Sequence, residues 1–223
     1  MDRRLQEILE SGIRQIDPDV AQATVIRRLG KLYDEIELFN PRYALVNASG
    51  EELVRRHILD CLAPIGIIRE YAAPCAECGK VRFADLGSGS GLPGLVLACV
   101  FDSWDINLVE RMGRRAGFLR NTVAVLGLSS VVDVVQKDLS EVQNQYDVIT
   151  FRAFRPFKDI ISDLDRILAP NGVILAYKSS EENIQEEIQV LESYTGSRFT
   201  AVTVGYRVPM LDAERRMLVV KRV

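Results

Sequence analysis

Three glycines, Gly87, Gly89 and Gly91, follow one another at alternate positions after segment 81–86 and are the clearest sign of chemistry in this chain. Segment 81–86 alternates in polarity, which predicts a strand, and the apolar run from Leu95 onward predicts a helix. Because glycine has no Cβ, it can adopt a positive φ and let a ligand approach the backbone closely. The segment therefore predicts a strand, a ligand-binding turn and a helix; a plain surface turn is the alternative.

Two further features bear on the kind of ligand. Segment 89–94 also satisfies the G-x-G-x-x-G pattern of dinucleotide-binding proteins. However, Asp85 ends the predicted strand with a carboxylate, and Leu92-Pro93 leaves fewer backbone N–H groups for a pyrophosphate. A carboxylate attracts a cation. The pattern thus favours S-adenosylmethionine, which carries an ammonium and a sulfonium, over a dinucleotide with two phosphates.

Acidic residues also end the next two predicted strands. Glu110 follows segment 105–109, where an acidic side chain can accept both ribose hydroxyls of a nucleoside. Asp138 follows segment 131–135 and can accept from an adenine amino group while Leu139 packs on the ring. The alternative for Glu110 is an N-cap of the following helix, and Asp138 or Ser140 could likewise cap a short helix.

Basic residues end the fourth and fifth predicted strands. Arg152 stands where methyltransferases that modify exocyclic amino groups carry an Asn/Asp-Pro-Pro-aromatic motif, and Lys178 ends segment 173–177. We expect both to orient a substrate base or its phosphates, although a salt-bridging arginine at the surface would give the same pattern. The only histidine, His57, lies three residues before Asp60 on a predicted helix, where a structural hydrogen-bonding role is favoured over that of a base.

Periodicity predicts the elements that position these residues. Apolar residues recur at helical spacing in three segments before residue 70, which predicts a helical cap over 5–16, 20–39 and 51–62. Glycine and proline over 64–79 predict a linker. We therefore expect a helical cap over 1–70, joined to a second domain over 71–223 in one compact unit.

Strands and helices alternate after residue 81, with a turn predicted at 170–172. Alternation of this kind indicates a mostly parallel sheet with helices on both faces. The predicted fold is α/β and Rossmann-like, with seven strands and an N-terminal helical cap.

Composition limits the possible functions. The 223 residues carry a formal net charge of −3, so the chain lacks a strongly basic coat, and RNA would have to contact a local basic patch. No long apolar run or signal-like segment is evident, and we expect a soluble, cytoplasmic monomer without a membrane segment. Cys75 and Cys78 form half of a possible zinc site without a second pair, so we predict no metal.

Several segments together resemble the bacterial small-subunit ribosomal RNA guanine-N7 methyltransferases called RsmG or GidB. The resemblance covers nearly the whole chain and depends on five motifs, at residues 57–60, 85–94, 114–119, 152–154 and 214–215. The chain departs from the family pattern at Tyr43-Ala44-Leu45-Val46 and at Lys178-Ser179.

The resemblance implies a class I methyltransferase that uses S-adenosylmethionine and acts on 16S ribosomal RNA. By this resemblance, Gly87 and Leu92 line the cofactor pocket, Leu139 and Ser140 flank the adenine, and Arg152 lies at the edge between cofactor and substrate. Because the chain is acidic, we expect the RNA to be presented within a ribosomal particle. A small-molecule methyltransferase, a dinucleotide-dependent reductase and a non-catalytic nucleoside-binding protein are the alternatives.

Overall fold

A seven-stranded sheet in the order β3-β2-β1-β4-β5-β7-β6 forms the centre of the molecule. The computed structural model describes residues 1–77, 79–178, 181–196 and 198–223, with the backbone alone at 181–183. Strands β1 to β5 run parallel, and β7 runs against both of its neighbours. The strands are β1 (Arg82–Leu86), β2 (Asp105–Val109), β3 (Val132–Val135), β4 (Tyr146–Arg152), β5 (Leu168–Lys178), β6 (Phe199–Arg207) and β7 (Glu214–Arg222).

Helices cover both faces of this sheet, as the sequence predicted. Successive residues of a strand point to opposite faces, and in β1 Phe83 packs into one core while Ala84 and Leu86 pack into the other. The first core contains the helices that precede β1, together with α6 and α7, and the second contains α8 and α9. These four helices are α6 (Gly94–Ala98), α7 (Gly113–Leu126), α8 (Phe157–Ile167) and α9 (Glu181–Ser193).

The N-terminal helices share the first core with the sheet, because buried residues from Leu5 to Val219 form one continuous cluster. They are α1 (Arg3–Ile16), α2 (Ala23–Tyr43), α3 (Gly50–Leu53), a π-helical turn (Val54–Ile58), α4 (Leu59–Leu62) and α5 (Ile65–Ala76). Among the described residues, no helix has the length and apolar character needed to cross a membrane.

The predicted linker over 64–79 is wrong, because most of it forms α5. Ile65, Ile68 and Ala72 recur at helical spacing and are buried, so the hydrophobic contact of this face outweighs the unfavourable effect of Pro74 in the last turn. The predicted domain boundary at residue 70 therefore falls inside a helix.

The turn predicted at 170–172 is also wrong, since these residues belong to β5. The irregularity that they introduce is a shift of register against β4, where Tyr146 pairs with Leu168 but Val148 pairs with Val173.

Candidate active site

The glycine loop after β1 has the backbone conformation that its composition predicted. Gly87, Gly89 and Gly91 have φ values of 68°, 52° and 81°. The backbone N–H of Gly87 donates to the carbonyl of Val109 at 2.9 Å, which ties the loop to the end of β2. Strand β1 lies between β2 and β4, so the order of strands across the sheet reverses at β1. Open α/β sheets bind ligands at such a point.

Asp85 lies beneath this loop and on the wall of neither cavity described below. Its side chain is buried, and Oδ2 accepts a hydrogen bond from the backbone N–H of Gly94 at 3.1 Å. Its Oδ1 is buried without a hydrogen-bond partner in the part of the chain that the structure describes. Burial raises the pKa of the carboxyl to about 7. The observed contact is with the loop, and a contact with a cofactor stays a prediction.

The raised pKa of Asp85 predicts a pH-dependent stability. Because the folded pKa exceeds the unfolded value, the contribution of Asp85 to stability is complete below pH 4 and is lost as the pH rises through about 7. Asp85→Asn removes this titration. From pH 5 to pH 7.5, we expect the free energy of unfolding of the variant to rise relative to wild type by about 2 kcal/mol. Urea unfolding at both values measures this difference, and a constant difference would contradict it.

Two adjoining cavities open at the carboxyl ends of the strands. The larger has a volume of about 840 Å³ and extends from the glycine loop to the N-terminal helices and β7. The smaller has a volume of about 300 Å³ and lies between the ends of β1, β2 and β3. Both lie within or near the size range of small-molecule sites. They share a wall formed by Gly87, Arg115, Ala153, Phe154 and Arg155.

The smaller cavity contains most of the residues predicted to bind a nucleoside. Glu110, Asp138 and Leu139 line it, and Gly87 contributes to its wall. Glu110 is buried; its Oε2 accepts from the N–H of Gly89 at 3.0 Å and its Oε1 from that of Met112 at 2.8 Å. The carboxylate thus joins the glycine loop to the start of α7 while it faces the cavity.

The cap that the sequence offered as an alternative for Asp138 is present. Asp138 Oδ1 accepts from the backbone N–H of Ser140 at 3.2 Å, and its own N–H donates to Glu141 at 2.9 Å, forming a capping box for the 3₁₀ turn Leu139–Glu141. Ser140 is not on the cavity wall. Asp138 combines this cap with a position on the wall.

Phe154 separates the two cavities, and the sequence analysis did not place it in the site. A Cβ built at Gly87 would lie 2.2 Å from Cδ2 of Phe154, so the ring lies directly against the glycine. The Arg155 guanidinium stacks 5.1 Å from the ring centroid and reaches Asp138 at 3.7 Å. The signal available in the sequence was an aromatic residue two positions after the end of a predicted strand.

Arg152 lies on the wall of the larger cavity at the centre of a polar cluster. Its Nη1 donates to Asp60 Oδ2 at 3.2 Å, and its Nη2 lies 3.1 Å from His57 Nδ1. Arg215 Nε donates to the other Asp60 oxygen at 3.0 Å. Arg152 and Asp60 expose only 18% and 8% of their side chains, so this pair is largely shielded from water. The cluster connects the N-terminal helices to the ends of β4 and β7.

Lys178 also lines the larger cavity, but its ammonium is ion-paired. Nζ lies 2.8 Å and 2.6 Å from the two carboxylate oxygens of Glu187, and 5.7 Å and 5.3 Å from the ring centroids of Phe151 and Phe157. The side chains of the pair are 14% and 12% exposed. A phosphate or base would have to compete with Glu187, so orientation of substrate by Lys178 stays a prediction.

Removing Glu187 is expected to destabilise the protein, because a largely buried ammonium would lose its partner. Glu187→Ala should lower the free energy of unfolding by about 3 kcal/mol, whereas Lys178→Met with Glu187→Leu should recover most of this loss. Chemical unfolding of the single and double variants measures both effects. A loss below about 0.5 kcal/mol in Glu187→Ala would show that the pair is solvated.

Leu92 and Gly89 complete the predicted set, and both lie on the wall of the larger cavity. The residues predicted from separate strand ends are therefore brought together around the two cavities, apart from Asp85 and Ser140. Among the described residues, no group of three or more His, Cys, Asp or Glu side chains is placed to hold a metal ion. Cys78 and Ser179 lie outside the described residues.

The site fits S-adenosylmethionine on the chemistry of its own residues. The Glu110 carboxylate suits ribose hydroxyls, and Leu139 offers a buried apolar surface to a base. The second cavity, across Phe154, leaves room for a methyl acceptor.

The chain is similar to known proteins along most of its length. The family model for rRNA small subunit methyltransferase G matches residues 25–209. The chain belongs to this family. Relatives named Ribosomal RNA small subunit methyltransferase G include one from Xylella fastidiosa (strain M23), 32% identical over 217 residues covering 97% of this chain and 91% of the relative. Another, from Borrelia turicatae, is 35% identical over 171 residues covering 75% of this chain and 78% of the relative.

Comparison with solved structures shows that this member of the rRNA small subunit methyltransferase G family has the class I methyltransferase fold. The METTL16 MTase domain has a TM-score of 0.59 and 15% identity, covering 87% of this chain and 80% of that one. A human methyltransferase 10 domain containing protein has a TM-score of 0.56 and 14% identity, covering 87% and 96%. At these identities the likeness extends to the fold alone. The predicted fold class and family are confirmed.

Proposed function

We propose that this protein transfers the methyl group of S-adenosylmethionine to N7 of a guanosine in 16S ribosomal RNA. The observation that carries the proposal is the pair of cavities that meet at Gly87, one suited to a nucleoside and the other lined by Arg152 and its cluster. Membership of the family and the names of the relatives support RNA of the small ribosomal subunit as the substrate.

The smaller cavity would hold the adenosine part of the cofactor. Glu110 would accept the ribose hydroxyls, Leu139 would pack on the adenine, and Asp138 would accept from its amino group. When bound, the cofactor supplies an electrophilic methyl on a sulfonium. Gly87 would border the cofactor beside Phe154. Gly89, where the atom nearest to a built Cβ lies 3.6 Å away, would let the other end of the molecule reach the larger cavity, where Leu92 lies on the wall.

The reaction requires positioning more than acid–base chemistry. Guanine N7 has an in-plane lone pair and no proton; the lone pair forms the new N–C bond while the C–S electron pair moves to sulfur. No residue has to remove a proton, so a site without a basic catalytic side chain is sufficient. The contribution of the protein is to hold N7, methyl and sulfur in line, and Arg152 would orient the base.

Cations at the mouth of the larger cavity would contact the RNA backbone. Arg56 and Arg155 are 58% and 41% exposed, and their ion pairs with Glu52 and Asp138 are long, at 3.7 Å, so a phosphate could replace either partner with little desolvation. With a net charge of −3, the protein has little general attraction for RNA. We propose that a ribosomal particle in the cytoplasm presents the RNA, and that a single copy of the protein, acting as one unit, modifies it.

The proposal is tested by methyl transfer to defined substrates. Small ribosomal subunits from cells that lack the protein are incubated with enzyme and methyl-labelled S-adenosylmethionine, and the labelled base is mapped. We expect one labelled guanosine in 16S RNA, identified as 7-methylguanosine. Equal labelling of protein-free RNA would contradict the particle requirement, and a label on another atom would contradict the N7 assignment.

Calorimetry with the same protein tests the cofactor separately. We expect S-adenosylmethionine to bind, and we expect NAD not to compete with it for the site. Tight binding with no transfer to subunits would favour a non-catalytic nucleoside-binding protein, and competition by NAD would favour a dinucleotide enzyme.

A further inference from the structure

His57 lies on the wall of the larger cavity, in the π-helical turn Val54–Ile58 that separates α3 from α4. A π-helical turn is an uncommon conformation that occurs frequently at functional sites. Here it places one face of the turn at the cavity, so that His57 lines it beside Asp60 and Arg152.

The hydrogen bond to Arg152 determines which nitrogen of His57 carries a proton. A guanidinium can only donate, and Arg152 Nη2 lies 3.1 Å from Nδ1, so Nδ1 is the acceptor. Burial, together with the charges of Arg152, Arg56 and Arg215, lowers the pKa of His57 to about 4. At neutral pH the ring is therefore uncharged, with its one proton on Nε2.

This Nε2–H makes no hydrogen bond with any residue that the structure describes, although the ring itself lines the cavity. We propose that His57 Nε2–H donates to O6 of the target guanine and thereby orients the base for attack. This proposal rests on the proposed function and names a substrate-binding residue for it.

The chemistry of N7 methylation favours a neutral donor at O6. A donor on N7 would occupy the lone pair that attacks, whereas a donor on the adjacent O6 holds the base and leaves N7 free. Methyl transfer moves the positive charge of the sulfonium onto the guanine ring, and a cation at this position would repel it. An uncharged imidazole N–H avoids this repulsion, and Arg152 keeps it uncharged.

Two amide substitutions separate the two nitrogens of the imidazole. Asn places an acceptor near the position of Nδ1 and can keep the contact with Arg152, but it has no donor at the position of Nε2. Gln can place an N–H₂ near the position of Nε2. Arg55→Gln is the matched control, because Arg55 lies on the same turn as His57 and lines neither cavity.

We measure single-turnover methyl transfer to small subunits at saturating enzyme, and S-adenosylmethionine affinity by calorimetry. We expect His57→Asn to lower the rate by about 10- to 100-fold, the loss typical of one hydrogen bond to substrate. His57→Gln should retain the rate within about fivefold, because it keeps a donor to O6. Arg55→Gln should retain it within about threefold, because Arg55 lines neither cavity. Cofactor affinity should change by less than about threefold in all three variants, since His57 is not on the wall of the smaller cavity.

The outcomes distinguish this proposal from the proposed function. If wild-type protein labels N7 and His57→Asn does so at the same rate, the role of His57 is wrong while the function stands. A slow His57→Gln as well as a slow His57→Asn would also overturn it, in favour of a purely structural contact with Arg152. If wild-type protein binds the cofactor but labels no guanosine, the proposed function itself fails.

Discussion

Arg152→Ala is expected to lower the rate of methyl transfer by about 100-fold or more, while the affinity for S-adenosylmethionine changes by less than about threefold. Arg152 lines only the larger cavity, so its loss does not alter the wall around the adenosine part. It donates to both His57 and Asp60, and without it His57 can place its proton on either nitrogen. Single-turnover transfer to small subunits and calorimetry measure the two quantities.

Two controls isolate the role of Arg152. Arg152→Lys keeps the charge but not the fork that reaches both partners, and it should remain at least about 10-fold impaired. Arg82→Ala removes a similar pair, in which Arg82 Nη2 lies 2.7 Å from Asp147 Oδ1. Arg82 is at the start of β1, the opposite end of the strand from the site. It should affect stability alone. Turnover of Arg152→Ala within about threefold of wild type would exclude Arg152 from the site.

Gly87→Ala is expected to weaken S-adenosylmethionine binding by about 10- to 100-fold. The new Cβ would lie 2.2 Å from the Phe154 ring, so the ring has to move. Phe154 is part of the wall between the cavities, and its movement would change both. A methyl group at positive φ adds strain of about 1–2 kcal/mol. Calorimetry and thermal unfolding measure affinity and stability.

Gly127→Ala is the matched control for the backbone strain. Gly127 has a φ of 67°, nearly the same as Gly87, but no atom lies within 4 Å of its Cβ position. It should cost about 1 kcal/mol of stability and leave cofactor affinity unchanged. Phe154→Leu combined with Gly87→Ala should recover part of the affinity, because the shorter side chain can yield. If Gly87→Ala binds cofactor as tightly as Gly127→Ala, the contact with Phe154 does not shape the site.

The order of elements was predictable because period-2 and period-3.6 patterns report directly on burial. Strand β1 and helix α1 begin and end within two residues of their predicted positions. The helix α5 was missed because local proline and glycine signals were given more weight than the apolar face of Ile65, Ile68 and Ala72. Tertiary burial of that face, which a local signal cannot include, decided the conformation.

The composition of the site was partly predictable for a topological reason. Parallel strands deliver their carboxyl ends to one edge, so Gly87, Glu110, Asp138 and Arg152 could be assigned to a common site from the sequence. The hydrogen-bond partners of these residues could not be predicted. Asp60 is hydrogen-bonded to Arg152, 92 residues away, and to Arg215, 155 residues away, and no local pattern encodes such a contact.

The sequence by itself determined that the chain alternates strands and helices, that a glycine loop follows the first strand, and which residue types stand at the strand ends, because these depend on local spacing and backbone freedom. Only the tertiary structure decided that Asp85 lies under the loop, that Lys178 is paired with Glu187, and that Phe154 divides the cavities. Those outcomes depend on which side chains of distant segments are buried next to one another, because each buried charge requires a partner.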